Sequence, residues 1–230
     1  MERKGVTTIA LCYRLPPIRK PNTMNRPPSA SPTPSRQVQK QGPAASRHVA
    51  AGPLMLVALI VVAALTRVLP HPPNFSPVEA IALFGGAYFA SRHWALLVPL
   101  AAMFVSDLVL GQLHGGIYRD YFTSAGFWLV YACIVVSTML GFGLRGKVSG
   151  ARVLGYSLLG SVLFFLVTNF GAWMSDPLYP KTVGGLGAAY VAGVPFFQWT
   201  VLGTLFYSAL LFGGFALLRR RVPALRAQTV

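Results

Sequence analysis

Val78-Glu79-Ala80-Ile81-Ala82-Leu83-Phe84-Gly85-Gly86-Ala87-Tyr88-Phe89-Ala90 is an apolar run with one acid and no base, and its reading decides the fold. A helix that spans a bilayer needs roughly 17–25 apolar residues. This run is shorter, so it either crosses as an undersized span or dips in and out as a re-entrant hairpin. Around it lie five further apolar runs, at residues 49–69, 94–111, 124–143, 153–174 and 196–218, which meet or approach spanning length.

Basic residues arbitrate between the two topologies, because short cytoplasmic connections hold the excess of Lys and Arg. If all six runs cross and the N-terminal tail stays inside, the inner connections hold eight basic residues: Arg92, Arg145, Lys147, Arg152, Arg219, Arg220, Arg221 and Arg226. The outer connections hold three, Arg67, Arg119 and Lys181. If the short run only dips, the eight turn outward with Arg67 and the cytoplasm keeps Arg119 and Lys181. Six crossings is the better solution. The sequence therefore predicts an all-α integral membrane protein with six transmembrane helices, N-in/C-in, and a short second span.

Composition agrees with a membrane protein: 54% of the residues are hydrophobic and only 11% charged, too apolar for an ordinary soluble domain. The net charge of +15 flanks the apolar runs instead of forming an aromatic-interleaved basic face, so it speaks for topology and against nucleic acid. Residues 1–48, as in Arg19-Lys20-Pro21 and Pro27-Pro28-Ser29, are a basic Pro/Ser-rich tail with too little apolar surface to build a core. They lack the apolar core and small-residue cleavage site of a secretory signal. Translation starting downstream, at Met24 or Met55, is the alternative account of this tail. Residues 49–222 make the membrane domain and 223–230 a short cytoplasmic tail. Gly184, Gly185, Gly187, Gly193 and Pro195 interrupt the stretch before the last span, which predicts an outer half-helix over 186–194.

Polar residues sort to the outer side. His71, Asn74 and Glu79 surround the first outer connection, and Asp107, His114, Tyr118, Asp120 and Tyr121 the second. Asn169, Trp173, Asp176, Tyr179 and Lys181 surround the third. The candidate solute-binding residues are Asp107, Glu79, Asn74, His71, His114, Asn169, Trp173 and Asp176, in loops able to close over a small polar molecule. Each has a plainer reading beside it. Ser76-Pro77-Val78-Glu79 also fits a helix start, with Glu79 facing the helix dipole. Asp176-Pro177 fits a loop opening, and Trp173 an interface aromatic. Asp107 lies about one turn inside a helix end, where no cap needs an acid, so it either holds a ligand or pairs two helices.

Catalysis and metal binding find no support in the motifs. No closely spaced ligand pair accompanies His71 or His114, and no G-x-S-x-G or H-E-x-x-H pattern is present. With no catalytic residue, cofactor or metal to assign, the chain reads as a non-enzyme. It lacks a Walker motif and cannot drive transport with nucleotide chemistry of its own.

The run from Leu69 to Gly86, with Ser106-Asp107-Leu108-Val109-Leu110-Gly111, Tyr179-Pro180-Lys181-Thr182 and Pro195-Phe196-Phe197, resembles an uncharacterised family of bacterial six-helix membrane proteins over residues 54–218. That family is similar to the substrate-binding S components of energy-coupling-factor transporters, which import vitamins and other micronutrients. The resemblance implies a six-helix fold in the bacterial cytoplasmic membrane with an outward pocket for a small-molecule substrate. It also implies a separate transmembrane coupling protein and two cytoplasmic ATPases as partners. One feature departs from that pattern: Ala58 is followed four residues later by Val62, where S components often carry a second alanine. A structural scaffold and, behind it, a membrane enzyme are the competing function classes, and a scaffold has no use for a buried acid at Asp107.

Overall fold

Every apolar run becomes helix, because inside an apolar medium each backbone N–H and C=O must be satisfied within its own segment. The computed structural model describes residues 51–115, 122–222 and 225. Tyr118, Asp120, Tyr121, the tail to residue 48 and nearly all of the C-terminal tail lie outside the described residues. Among the described residues there is no strand. The helices are α1 (Ala51–Leu65), α2 (Val78–Tyr88), α3 (Arg92–His114), α4 (Ala125–Phe142), α5 (Gly150–Ser175), α6 (Val183–Ser208) and α7 (Gly214–Arg221). A 3-10 turn, Thr66–Val68, extends α1, and a π turn, Ala209–Gly213, joins α6 to α7 without a break.

Four of these units are long and apolar enough to cross a membrane: α3, α4, α5 and the α6–α7 rod. They turn large apolar side chains outward, among them Trp94, Leu97, Trp128, Leu158, Leu166 and Phe206, as expected where the surrounding solvent is hydrocarbon. α1 and α2 are shorter apolar helices.

α2 is the centre of the bundle. All of its 11 residues are buried, Glu79 included, and it packs most extensively on α4, then on α3, α6, α1 and α5. Its approach to α4 is backbone to backbone at Gly86 and Gly141. A side chain on Gly86 would land on the Thr138 carbonyl, and one on Gly141 would land on the Leu83 carbonyl. Small residues allow such contact without a hydrophobic driving force between helices. The same, C-terminal end of α2 is closed by Phe84, Tyr88, Phe212 and Phe215, whose rings meet edge-on or tilted at 4.7–5.7 Å. Arg145 then donates to the carbonyls of Gly86 (2.9 Å) and Phe89 (2.8 Å), a cation on carbonyls at the C-terminal end of the helix.

The anticipated half-helix over 186–194 is not a separate element. Those residues are the first turns of a continuous rod, Val183–Arg221, of 39 residues and about 58 Å. Thr182 caps it, its hydroxyl accepting from the Gly185 amide at 3.1 Å. Glycine lowers helix propensity but deletes no hydrogen bond, and Pro195 deletes one that the rest of a packed helix can spare. The interruption lies instead ahead of α2. Leu69–Pro77 is largely non-helical, and its end dips between the helices: a side chain on Gly203, within α6, would strike Ser76 N and Phe75 Cα. Phe75 there packs on Phe206 and Tyr207 at 5.7 and 5.9 Å. Irregular backbone at that depth survives only where protein or a cavity surrounds it.

Candidate functional site

The segment that carries the site is built by its prolines. Phe75 N donates to Pro72 O at 3.1 Å, closing a turn with Pro73 second and Asn74 third. Asn74 has φ +66°, so this is the type II geometry that favours Pro then Asn. The turn sends Ser76 and Pro77 inward and starts α2 at Val78. No side chain caps that start, so the capping reading of Ser76 and Glu79 gains no hydrogen bond.

Above the N-terminus of α2 is a cavity of about 300 Å³, walled by Arg67, His71, Asn74, Ser76, Glu79, Thr200 and Thr204 with apolar side chains between them. A neighbouring cavity of about 200 Å³ shares Asn74, Val130, Phe164 and Thr200 with it and adds Thr168 and Asn169. Together they form a two-part chamber. Its first part lies at the low end of the size of ligand pockets, ~300–1,000 Å³.

Three residues that line the larger cavity each carry a buried polar atom with no hydrogen-bond partner: Glu79 Oε1, Ser76 Oγ and Thr204 Oγ1. Glu79 Oε2, by contrast, accepts a short hydrogen bond from Ser137 Oγ. The carboxyl is thus anchored on one side and unmatched on the other. An unsatisfied buried polar atom costs roughly 1–3 kcal/mol, more if charged. Three such residues meet at this one cavity.

Asp107 is differently placed. Its Oδ1 accepts from Arg67 Nη1 at 2.6 Å and its Oδ2 from Tyr131 Oη at 2.8 Å. Next to it Ser106 Oγ donates to the Ala64 carbonyl at 2.9 Å and lies 3.3 Å from Arg67 Nη1. These bonds tie the end of α1 to α3 and α4. Asp107 lines neither cavity, and of the two roles open to it, its contacts are those of helix pairing. Its partner Arg67 is what reaches the chamber.

Of the remaining candidates, His71 lines the larger cavity, its ring nitrogens 2.9 Å from Pro72 O and 3.2 Å from Arg67 O. Asn169 lines the smaller one and donates to Phe165 O at 2.8 Å. The chamber thus brings together Glu79, Asn74, His71 and Asn169. His114, Trp173 and Asp176 line neither cavity. His114 Nδ1 is 3.2 Å from Leu110 O. Trp173 donates to Pro180 O at 2.9 Å, and Asp176 Oδ1 accepts from Leu178 N at 2.8 Å. Lys181 Nζ gathers the carbonyls of Trp173, Asp176 and Tyr179 at 2.5, 2.9 and 3.2 Å, so this trio closes the connection after α5.

Sequence reasoning passed over Arg67, Ser76, Ser137, Thr200 and Thr204. Arg67 carries a mark that is not local: it is the one base inside the apolar runs, as Asp107 is an acid inside one. The hydroxyls carry no such mark, because Ser and Thr are ordinary in membrane helices. Among the described residues no three His, Cys, Asp or Glu side chains converge as metal ligands.

A family of unknown function (DUF6580) matches residues 48–225. No curated protein and no solved structure matches the chain.

Proposed function

The chain belongs to a family of unknown function (DUF6580), and we propose that it captures a small, hydrogen-bond-donating or cationic solute in the chamber above α2, as the binding component of a transport system. The observation that carries this reading is that three residues lining one cavity, Glu79, Ser76 and Thr204, each hold a buried polar atom without a partner. A carboxyl oxygen without a donor selects a molecule that brings one. Interrupted helices at membrane depth, with polar atoms at the break, are a recurrent way to build solute sites in transporters.

The reading includes six crossings of the bacterial cytoplasmic membrane with both ends inside. Eight basic residues against three support that orientation. The second crossing is made by the inserted end of the Pro-rich segment together with α2, which adds to the ~16 Å that α2 supplies alone. The chamber then faces outward. Energy comes from elsewhere, since the chain has no nucleotide-binding motif. A separate transmembrane coupling protein with cytoplasmic ATPases, as in the energy-coupling-factor systems that the sequence resembles, would supply it.

The test is untargeted mass spectrometry of small molecules that co-purify with the detergent-solubilised protein and with its Glu79→Gln variant. Wild type should retain an amine-bearing or N–H-rich solute. Glu79→Gln keeps the shape and the Ser137 contact, and should lose retention about ten- to a hundredfold, the worth of a hydrogen bond to a charged group. Equal retention by both proteins, or no retained solute in wild type, would overturn the reading.

A further inference from the structure

At the end of the bundle opposite the chamber, α5 and the α6–α7 rod diverge and leave a groove of about 860 Å³. Its lining is mainly apolar, with Val153, Leu154, Leu205 and Phe212 in it, and two buried serines there, Ser157 and Ser208, bond to each other at 2.9 Å. The rod wall shows only small residues where it opens, Ala209, Gly213 and Ala216, all exposed. From Leu205 to Arg220 the groove follows about 22 Å of helix. One leaflet, hydrocarbon plus headgroup, is about 20–22 Å thick.

The mouth of the groove is positive on both sides. Arg219 and Arg220 line it from the rod, and Arg219 is steered by stacking over Tyr88 and Phe215 at 5.8 and 5.7 Å. Ser149 and Gly150 line it from the first turn of α5, a 26-residue helix whose opening amides carry the positive end of its dipole. An apolar slot of leaflet length that ends in two guanidiniums and a helix N-terminus matches an amphiphile with an anionic head.

We propose that this groove is a binding site for one anionic phospholipid of the leaflet at the basic end, its phosphate between Arg219, Arg220 and the start of α5, and an acyl chain along Ala209 and Gly213. The lipid would cover a helix face that α5 leaves open and fix the rod relative to α5. This site is separate from the solute chamber and stands or falls apart from it.

Native mass spectrometry of the detergent-solubilised full chain tests this, with phosphatidylglycerol and phosphatidylcholine of identical chains in competition. Two arginines at about fivefold each should give wild type a preference of roughly 25-fold for one phosphatidylglycerol. Arg219→Gln with Arg220→Gln should bring that preference close to one. Gly213→Leu should exclude either lipid by filling the groove, and a Cβ at that position meets nothing within 4 Å. Equal retention of the two lipids by wild type overturns the proposal, as does an unchanged preference in the double arginine variant. Displacement of the lipid by inorganic phosphate at equal concentration would show a free-anion site and also overturn it. So would dimers that Gly213→Leu dissociates with no change in lipid binding, which would assign the groove to a second copy of the chain.

Discussion

Replacing Asp107 by leucine separates its two roles most cleanly. Both of its carboxylate oxygens accept hydrogen bonds from the protein, from Arg67 at 2.6 Å and from Tyr131 at 2.8 Å. The side chain of Asp107 is 4% exposed and that of Arg67 15%. Removing one member of a buried ion pair costs about 3–5 kcal/mol, because the other charge is left without compensation. The residual access of Arg67 to solvent places Asp107→Leu near the lower end, about 3 kcal/mol. For a domain of this size about 2–4 °C is lost per kcal/mol, so the melting temperature should fall by roughly 6–12 °C. Arg67→Met alone should cost a comparable amount. The double variant replaces the pair with two apolar side chains and should lose far less than the sum, a coupling of about 2–3 kcal/mol. Tryptophan fluorescence during thermal unfolding in detergent reads all four proteins. Strictly additive losses would refute the pairing. So would an Asp107→Leu protein of unchanged stability that no longer retains solute, since that outcome makes the acid a ligand group.

Glycine positions give a second, sharper contrast. Gly86→Ala puts a methyl group on the Thr138 carbonyl at the α2–α4 contact and should cost about 3 kcal/mol or more, seen as loss of folded yield. Gly155→Ala meets nothing within 4 Å and should raise stability by up to about 1 kcal/mol through helix propensity, read in the same melting assay. For topology, single cysteines at Gln112 and Ser149, in a background without Cys12 and Cys133, should react from opposite sides of the membrane. A membrane-impermeant reagent that reaches position 149 but not 112 in intact cells would reverse the proposed orientation.

Much of the helical layout was legible because hydrocarbon demands long uninterrupted runs, and five runs meet or approach the needed length. The helices of the first five runs begin and end within a few residues of their apolar stretches. Where the backbone breaks was harder to read. Glycines before Pro195 suggested a gap in the last span, yet helix continues through them, and the break falls at Leu69–Pro77 instead. Composition marks where a helix can be interrupted, whereas burial among neighbours decides where it is. The cavity wall was half legible for a similar reason. Glu79, Asn74, His71 and Asn169 are conspicuous as polar residues near apolar runs. Thr200 and Thr204 sit in the middle of such a run and acquire meaning only when α6 comes to lie beside Phe75 and Ser76. Asp107 drew attention correctly as an acid that needs a partner, but the partner is 40 residues away in the chain and no local pattern points to it.

The burial of α2 on every side has a consequence for how the protein is made. An 11-residue helix with a carboxyl at its second position is shorter than a bilayer core and carries a group that hydrocarbon disfavours. The neighbour that covers it most, α4, is synthesised some forty residues later, after α3 has emerged. Released one segment at a time, α2 would enter lipid without its main neighbour. α1 and α3 can cover part of α2 earlier, but its fullest cover comes only with α4.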